Sequence, residues 1–314
     1  MPASWRSEEE RVMGSMVLRD QLKNVHAYAT TPFRGDDLFA LDLEGLIRNL
    51  EFMIAGGIKV INVGGGTGEA EALAAEEFET LASVALKVAA GRALIIPTLP
   101  GNLAVARALI PRYVKLGVSV ALGMPPLIRN QTPEELEGVF DYYALLAKAG
   151  ELALMPYNTQ GWKAEFFVRL SQIEAIVGIK DPCFEPHNLF RAIHLLGDRF
   201  VWIGNKRHDP GVLQFRYQAG IEGFTAGFVN FAPEYELELH RAALRQDWNL
   251  MVQLQEQLAP LERLRASYGD GVLKAGLDLV GLAGGRVRPP RQDLGAEGRV
   301  ALAEELRRLG VAVQ

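Results

Sequence analysis

The residues with the clearest chemical potential close two short apolar segments. Lys180 ends the run "AIVGIK", and Tyr157 ends the run "LALMPY". Burying an ammonium group is costly unless the group is paired or neutral. A neutral lysine amine attacks carbonyl carbons, and a nearby phenol can carry the protons of that reaction. Two less specific interpretations stay open: Lys180 as a surface side chain or ion-pair partner of Asp181, and Tyr157 as a packing residue.

A glycine-rich stretch, "GGGTGE" at residues 64–69, follows another apolar run. A dinucleotide-binding fingerprint requires glycine at relative positions one, three and six, and the sixth position from Gly64 is Glu69. The stretch therefore lacks that fingerprint. Its backbone amides, together with the Thr67 hydroxyl, suit a small anion such as a carboxylate. A tight strand-to-helix turn without a ligand is the alternative.

Short β-branched runs alternate along the chain with longer segments of helical period. The predicted strands cover residues 25–30, 59–64, 93–98, 118–123, 152–157, 175–180, 200–204 and 221–226. This alternation predicts an α/β protein, and eight strands predict a closed (β/α)8 barrel. Active sites of such barrels lie at the carboxyl ends of the strands. Lys180, Tyr157, the glycine-rich turn and Thr225, near the end of the eighth strand, should therefore share one mouth.

Three regions follow from this pattern: a flexible or helical lead-in at 1–21, the barrel at 22–246, and a helical extension at 247–314. Thr132, followed by Pro133 and two glutamates, predicts the start of a helix that ends near Gly150.

Composition excludes several classes of protein. The net charge of -5 argues against nucleic-acid and anionic-membrane partners. Cys183 is the only cysteine, which excludes an internal disulfide framework. No apolar run approaches the ~20 residues of a membrane-spanning helix. We expect a cytoplasmic protein.

The motifs "GGGTGE", "PYN" and "GIKD" occur in the order and spacing of the dihydrodipicolinate synthase and N-acetylneuraminate lyase superfamily, which the chain resembles. The likeness continues through "GFTAGFVNFAPE" and "VRPP". It implies a Schiff-base lysine at Lys180, a catalytic tyrosine at Tyr157, and a substrate-binding turn formed by Gly66, Thr67 and Gly68. It also implies a 2-keto acid substrate and a homodimer or homotetramer. With Thr225 at the same mouth, these residues are the predicted site.

The chain departs from the synthases of this superfamily at three places. Those enzymes carry a first threonine where this chain has Gly66, and an arginine clamp where it reads "NTQGWK". They place an intersubunit tyrosine where Leu127 and Ile128 stand. "GGTGE", "PPL" and "FVNFAPE" instead resemble the 5-dehydro-4-deoxyglucarate dehydratase branch, although "AEAL" replaces its usual phenylalanine and serine.

Three functions remain open from the sequence. They are a Schiff-base lyase of dehydratase type, a dihydrodipicolinate synthase, and a non-catalytic barrel that binds keto acids. The five histidines are scattered, and we predict neither a metal nor a cofactor. Loop residues at the same barrel end either bind a second carboxylate or are solvated: Arg129, Asn130, Lys163, Asn205, Lys206 and Arg207.

Overall fold

The apolar runs of the sequence form eight short parallel strands. The computed structural model of the chain describes residues 8–128, 136–182, 185–206 and 212–314. The strands are β1 (Val25–Tyr28), β2 (Val60–Val63), β3 (Leu94–Leu99), β4 (Val120–Gly123), β5 (Ala153–Pro156), β6 (Gly178–Lys180), β7 (Val201–Asn205) and β8 (Gly223–Ala226). Each strand lies inside its predicted segment or extends beyond that segment by one residue, and most strands are shorter than predicted.

Sheet order runs β5-β4-β3-β2-β1-β8-β7-β6, so β5 and β6 are the two ends that must meet. Isolated parallel bridges join them, one between Leu154 and Ile176 and one between Tyr157 and Lys180. The Asn158 backbone N–H also donates to the Lys180 carbonyl at 2.9 Å. These contacts close the barrel and put the two predicted catalytic residues side by side.

Helices surround and extend the barrel. They are α1 (Glu8–Leu22), α2 (Leu43–Ala55), α3 (Ala75–Ala89), α4 (Leu103–Leu116), α5 (Glu137–Ala147), α6 (Ala164–Leu170), α7 (Pro186–Leu196), α8 (Val212–Ala219), α9 (Pro233–Leu244), α10 (Trp248–Tyr268), α11 (Gly271–Leu279) and α12 (Ala296–Arg308). The last three follow the barrel units. The predicted (β/α)8 barrel with C-terminal helices is confirmed.

Two apolar clusters stabilise this architecture. The larger packs the outer faces of the strands against the helices. The smaller fills the barrel interior with side chains such as Ile96, Met155 and Ile203, and it includes Leu18 and Leu22 of α1. Helix α1 therefore covers the amino end of the barrel, and substrate must enter from the carboxyl end.

Several predicted features lie outside the described residues. They are Arg129, Asn130, the Thr132–Glu135 helix start, Cys183, Arg207 and His208. Among the helices that the structure describes, none combines the length and apolarity needed to cross a membrane.

Candidate active site

Lys180 is the last residue of β6, and its amine lies between two aromatic rings. Nζ is 3.8 Å from the ring centroid of Tyr28 and 3.9 Å from that of Tyr157. The residue is only 6% exposed. Burial holds the pKa of the Lys180 amine well below its usual value, and the nearby Arg265 guanidinium lowers the pKa further. The structure thus favours the neutral amine, which is the nucleophilic form.

The less specific interpretations of Lys180 do not fit this environment. A side chain reaching the surface would be far more exposed than 6%. Asp181 instead accepts a hydrogen bond from Asn158 Nδ2 at 2.8 Å. Within the described part of the chain, Lys180 has no carboxylate ion-pair partner.

Tyr157 directly follows β5, and its backbone N–H donates to the Gly123 carbonyl at 2.9 Å. This bond fixes the start of the β5–α6 loop, so the phenol ring stays against Lys180. Tyr28, on β1, forms the opposite wall and is 3% exposed. Burial raises the pKa of the Tyr28 phenol well above its usual value. Its hydroxyl has no hydrogen-bond partner among the described residues.

The glycine-rich turn follows β2 at the same end of the barrel. It begins at Gly64 with a φ of 67°, a left-handed conformation that favours glycine. The Thr31 hydroxyl donates to the Gly68 carbonyl at 2.8 Å, and Thr67 is 9% exposed. A Cβ built on Gly66 would meet no heavy atom within 4 Å. The place of the synthases' first threonine is therefore open space.

Glu69 ends the turn and joins it to the C-terminal segment. This non-glycine residue has a φ of 64° and is 1% exposed. Its carboxylate lies 2.6 Å from Lys274 Nζ of α11 and accepts the Arg288 backbone N–H at 2.7 Å. These contacts account for a buried glutamate at the sixth position of the turn, since a buried charge requires such partners.

The remaining predicted loop residues separate into different roles. The Thr225 hydroxyl donates to Asn205 Oδ1 at 2.7 Å, which joins β8 to β7 at the mouth. Lys163 forms an exposed ion pair with Glu185. Lys206 is not a solvated loop residue: its side chain is 3% exposed and bound to Glu236 and Glu262. That expectation was wrong because the two carboxylates come from helices α9 and α10.

Sequence reasoning missed the cations that the C-terminal segment brings to the mouth. Arg265 of α10 donates to Thr67 Oγ1 at 3.2 Å, and Arg291 donates to the Gly66 carbonyl at 2.6 Å. The nearby "VRPP" motif was the available signal. In the described ranges, no group of three or more His, Cys, Asp or Glu side chains could hold a metal ion.

A (β/α)8 barrel with a buried, neutral-favouring lysine at its carboxyl mouth defines the chain as a lyase of the class I aldolase type. More particularly, the chain belongs to the dihydrodipicolinate synthetase family, whose model matches residues 21–309.

Relatives with two different activities match over most of their length. A 4-hydroxy-tetrahydrodipicolinate synthase of Methanosarcina mazei is 28% identical over 292 residues, covering 90% of this chain and 96% of the relative. A probable 5-dehydro-4-deoxyglucarate dehydratase of Bacillus licheniformis is 23% identical over 280 residues, covering 87% and 89%.

Solved structures agree with the fold. The pyruvate complex of the chloride-inhibited dihydrodipicolinate synthase from Acinetobacter baumannii superposes with a TM-score of 0.82 at 26% identity, covering 91% of this chain and 98% of that one. The synthase from Oceanobacillus iheyensis gives a TM-score of 0.86 at 23% identity, covering 94% and 99%.

Proposed function

We propose that this chain is a Schiff-base lyase that acts on a sugar-derived 2-keto acid, most similar to 5-dehydro-4-deoxyglucarate dehydratase. The observation that carries the proposal is the Lys180 amine, which is buried between two tyrosine rings and has no carboxylate partner in the described residues. Such an amine is a nucleophile at neutral pH.

The reaction begins when Lys180 Nζ attacks the keto carbon and the resulting carbinolamine loses water. The protonated imine withdraws electrons from the neighbouring carbon, which then loses a proton. The electron pair of that C–H bond expels a β-hydroxyl as a second water molecule. Hydrolysis of the imine consumes one water and releases the product, so the net change is loss of one water. No metal is required for these steps.

Tyr157 is the residue suited to move the protons of these steps. Its ring centroid is 3.9 Å from the Lys180 amine. Carbinolamine formation and dehydration each transfer protons at that nitrogen and at the departing oxygen. Thr67 and the amides of Gly66 and Gly68 would hold the carboxylate of the keto acid, with Thr225 on β8, two strands away from β2 around the mouth.

The dehydratase branch is favoured over the synthases by three positions at which the chain departs from the synthase pattern. The position of the first threonine is Gly66, with open space where a side chain would extend. Leu127, at the place of the intersubunit tyrosine, is 78% exposed. Lys163, which ends "NTQGWK", forms an ion pair with Glu185. A synthase remains the second candidate because the Methanosarcina mazei relative is a synthase at 28% identity.

Borohydride trapping tests the shared chemistry. Purified protein incubated with pyruvate and borohydride should gain the reduced-adduct mass on the peptide that contains Lys180, and Lys180→Ala should gain none. Absence of an adduct with pyruvate and with every 2-keto-3-deoxy acid tried would overturn the proposal.

Turnover then separates the two candidates. Condensation of pyruvate with aspartate semialdehyde should be very slow, since lost positioning and lost proton transfer each cost ~100-fold or more. Dehydration of a 2-keto-3-deoxy sugar acid should be efficient. Rapid dihydrodipicolinate formation in a coupled assay would return the chain to the synthases.

We also propose a homodimer or homotetramer. A surface cavity of about 450 Å³ between the β4 and α5 regions is lined by apolar side chains that include Leu103, Leu127 and Leu145. Leu127 and Leu145 are 78% and 47% exposed, a pattern typical of an interaction surface. Light scattering coupled to size exclusion measures the assembly, and a monomer at all concentrations would reject this proposal.

A further inference from the structure

The Arg265 guanidinium reaches the glycine-rich turn from helix α10, which follows the barrel units. Its Nη2 donates to Thr67 Oγ1 at 3.2 Å. Because the Thr67 oxygen accepts this bond, its own hydrogen is available for an acceptor elsewhere. An anion held by Thr67 would therefore lie within a few ångströms of a guanidinium.

Asp270 fixes the orientation of that guanidinium. Its Oδ1 accepts from Arg265 Nε at 2.9 Å and lies 2.8 Å from Nη2. Its Oδ2 accepts from Arg291 Nη1 at 2.8 Å, so the carboxylate is itself held on both sides. Arg265 is thus presented in one orientation rather than as a mobile surface side chain.

One nitrogen of Arg265 is left over. Nη1 has no hydrogen-bond partner among the described residues, and the side chain is 28% exposed. Nη1 lies 2.4 Å from the position that a Cβ on Gly227 would occupy, so a side chain at this position would displace the guanidinium. Since Gly227 directly follows β8, this free nitrogen lies at the carboxyl end of the barrel.

We propose that Arg265 binds the carboxylate of the 2-keto acid through Nη1, beside Thr67. This inference rests on the proposed function. It names a substrate-binding residue that lies outside the sequence motifs. Charge-assisted hydrogen bonds from a guanidinium to a carboxylate are stronger and more directional than those from a hydroxyl. Arg265 compensates for the absence of a hydroxyl at Gly66.

The alternative is a purely structural link between α10 and the turn, since the same bonds to Asp270 and Thr67 would provide one. The two roles differ in what they require of the ligand. A carboxylate-binding arginine acts on pyruvate and has little effect on methyl pyruvate, whose ester carries no charge. A structural arginine affects both ketones equally.

The test compares Arg265→Gln and Arg265→Lys with Arg263→Gln, an exposed arginine on the same helix. Borohydride trapping rates are measured against concentration for pyruvate and for methyl pyruvate. We expect Arg265→Gln to raise the half-saturating pyruvate concentration about 10- to 100-fold, as for a lost hydrogen bond to a charged group. Arg265→Lys should lose less, and Arg263→Gln nothing. Half-saturation by methyl pyruvate should change less than about 3-fold.

Equal losses for both ketones, or no loss with pyruvate, would overturn the inference. Melting temperatures of the variants identify any loss caused by unfolding, and Arg265→Lys provides a second variant that keeps the charge. If the unaltered protein forms no adduct, the proposed function fails. Calorimetric titration of the same variants with pyruvate then decides the inference separately, by the same change in affinity.

Discussion

Lys180 and Lys206 occupy neighbouring positions in the barrel and have opposite surroundings. Each lies at the carboxyl end of its strand, β6 or β7, and each is nearly inaccessible to solvent. Lys180 lies between two tyrosine rings, whereas Lys206 binds Glu236 and lies 2.8 Å from Glu262.

The pKa values of the two amines therefore shift in opposite directions. Burial keeps the pKa of Lys180 well below its usual value. Burial also opposes the charge on Lys206, but the two glutamates outweigh it and raise the pKa. Strand position alone does not make a lysine a nucleophile. The carboxylates that α9 and α10 supply at Lys206, and do not supply at Lys180, set the direction of the pKa shift.

Removing the nucleophile should have the largest effect. Lys180→Ala should reduce turnover of the best 2-keto acid by at least ~1000-fold, because the covalent route is lost. Steady-state assays measure this loss, and near- and far-ultraviolet circular-dichroism spectra check that the variant is folded. Turnover within ~10-fold of the unaltered protein would contradict the assignment of Lys180.

Removing the structural cation Lys206 should destabilise the fold rather than abolish the chemistry at Lys180. Lys206→Met leaves Glu236 and Glu262 buried without a counter-charge, which typically costs about 3 to 5 kcal/mol. Denaturant titration measures the free energy of unfolding. Adding Glu236→Gln to Lys206→Met should restore part of the loss. Where the single variant is folded, it should still form the pyruvate adduct at Lys180. An unchanged free energy of unfolding in Lys206→Met would contradict the structural role of Lys206.

The two rings around Lys180 should also differ in importance. Tyr157→Phe should lower turnover about 100-fold while substrate binding is largely kept, because the hydroxyl acts on proton transfer in the transition state. Tyr28→Phe is the matched control, since it removes a hydroxyl that has no partner among the described residues. It should change turnover less than about 3-fold. Equal losses in both variants would contradict a proton-transfer role specific to the Tyr157 hydroxyl.

The smallest effect is a gain in stability with the opposite sign to that at Lys206. A lysine whose folded pKa is lowered binds fewer protons in the folded state than in the unfolded state, so it destabilises the fold below the unfolded pKa. Lys180→Met should therefore raise the free energy of unfolding at pH 7 by about 1 to 2 kcal/mol. The gain should shrink as pH rises toward ~10.4, the unfolded pKa. Destabilisation at pH 7, or a gain that grows with pH, would contradict the lowered pKa.

The barrel was predictable because local patterns determine it. Apolar β-branched runs alternate with amphipathic segments, and strand order then brings the β5 and β6 ends together. Tyr157 and Lys180 follow from that arrangement, since each closes its own run. Predicted boundaries were longer than the strands because apolar residues continue into the loops.

The rest of the site depends on contacts between distant parts of the chain. Glu236 lies 30 residues from Lys206, and Arg265 lies 198 residues from Thr67. Neither α9 nor α10 carries a periodic pattern that specifies which loop its charged side chains will meet. The sequence therefore predicts a solvated Lys206 and gives no signal for Arg265.

The dependence of the glycine-rich turn on Lys274, Arg265, Arg288 and Arg291 also orders events during protein synthesis. The ribosome makes Gly66 225 residues before Arg291, which binds its carbonyl. At about 5 to 20 residues per second, that interval is roughly 10 to 45 s. A nascent chain that already contains every barrel strand still lacks the groups that set the turn. The contacts that hold the turn are thus completed only near the end of translation.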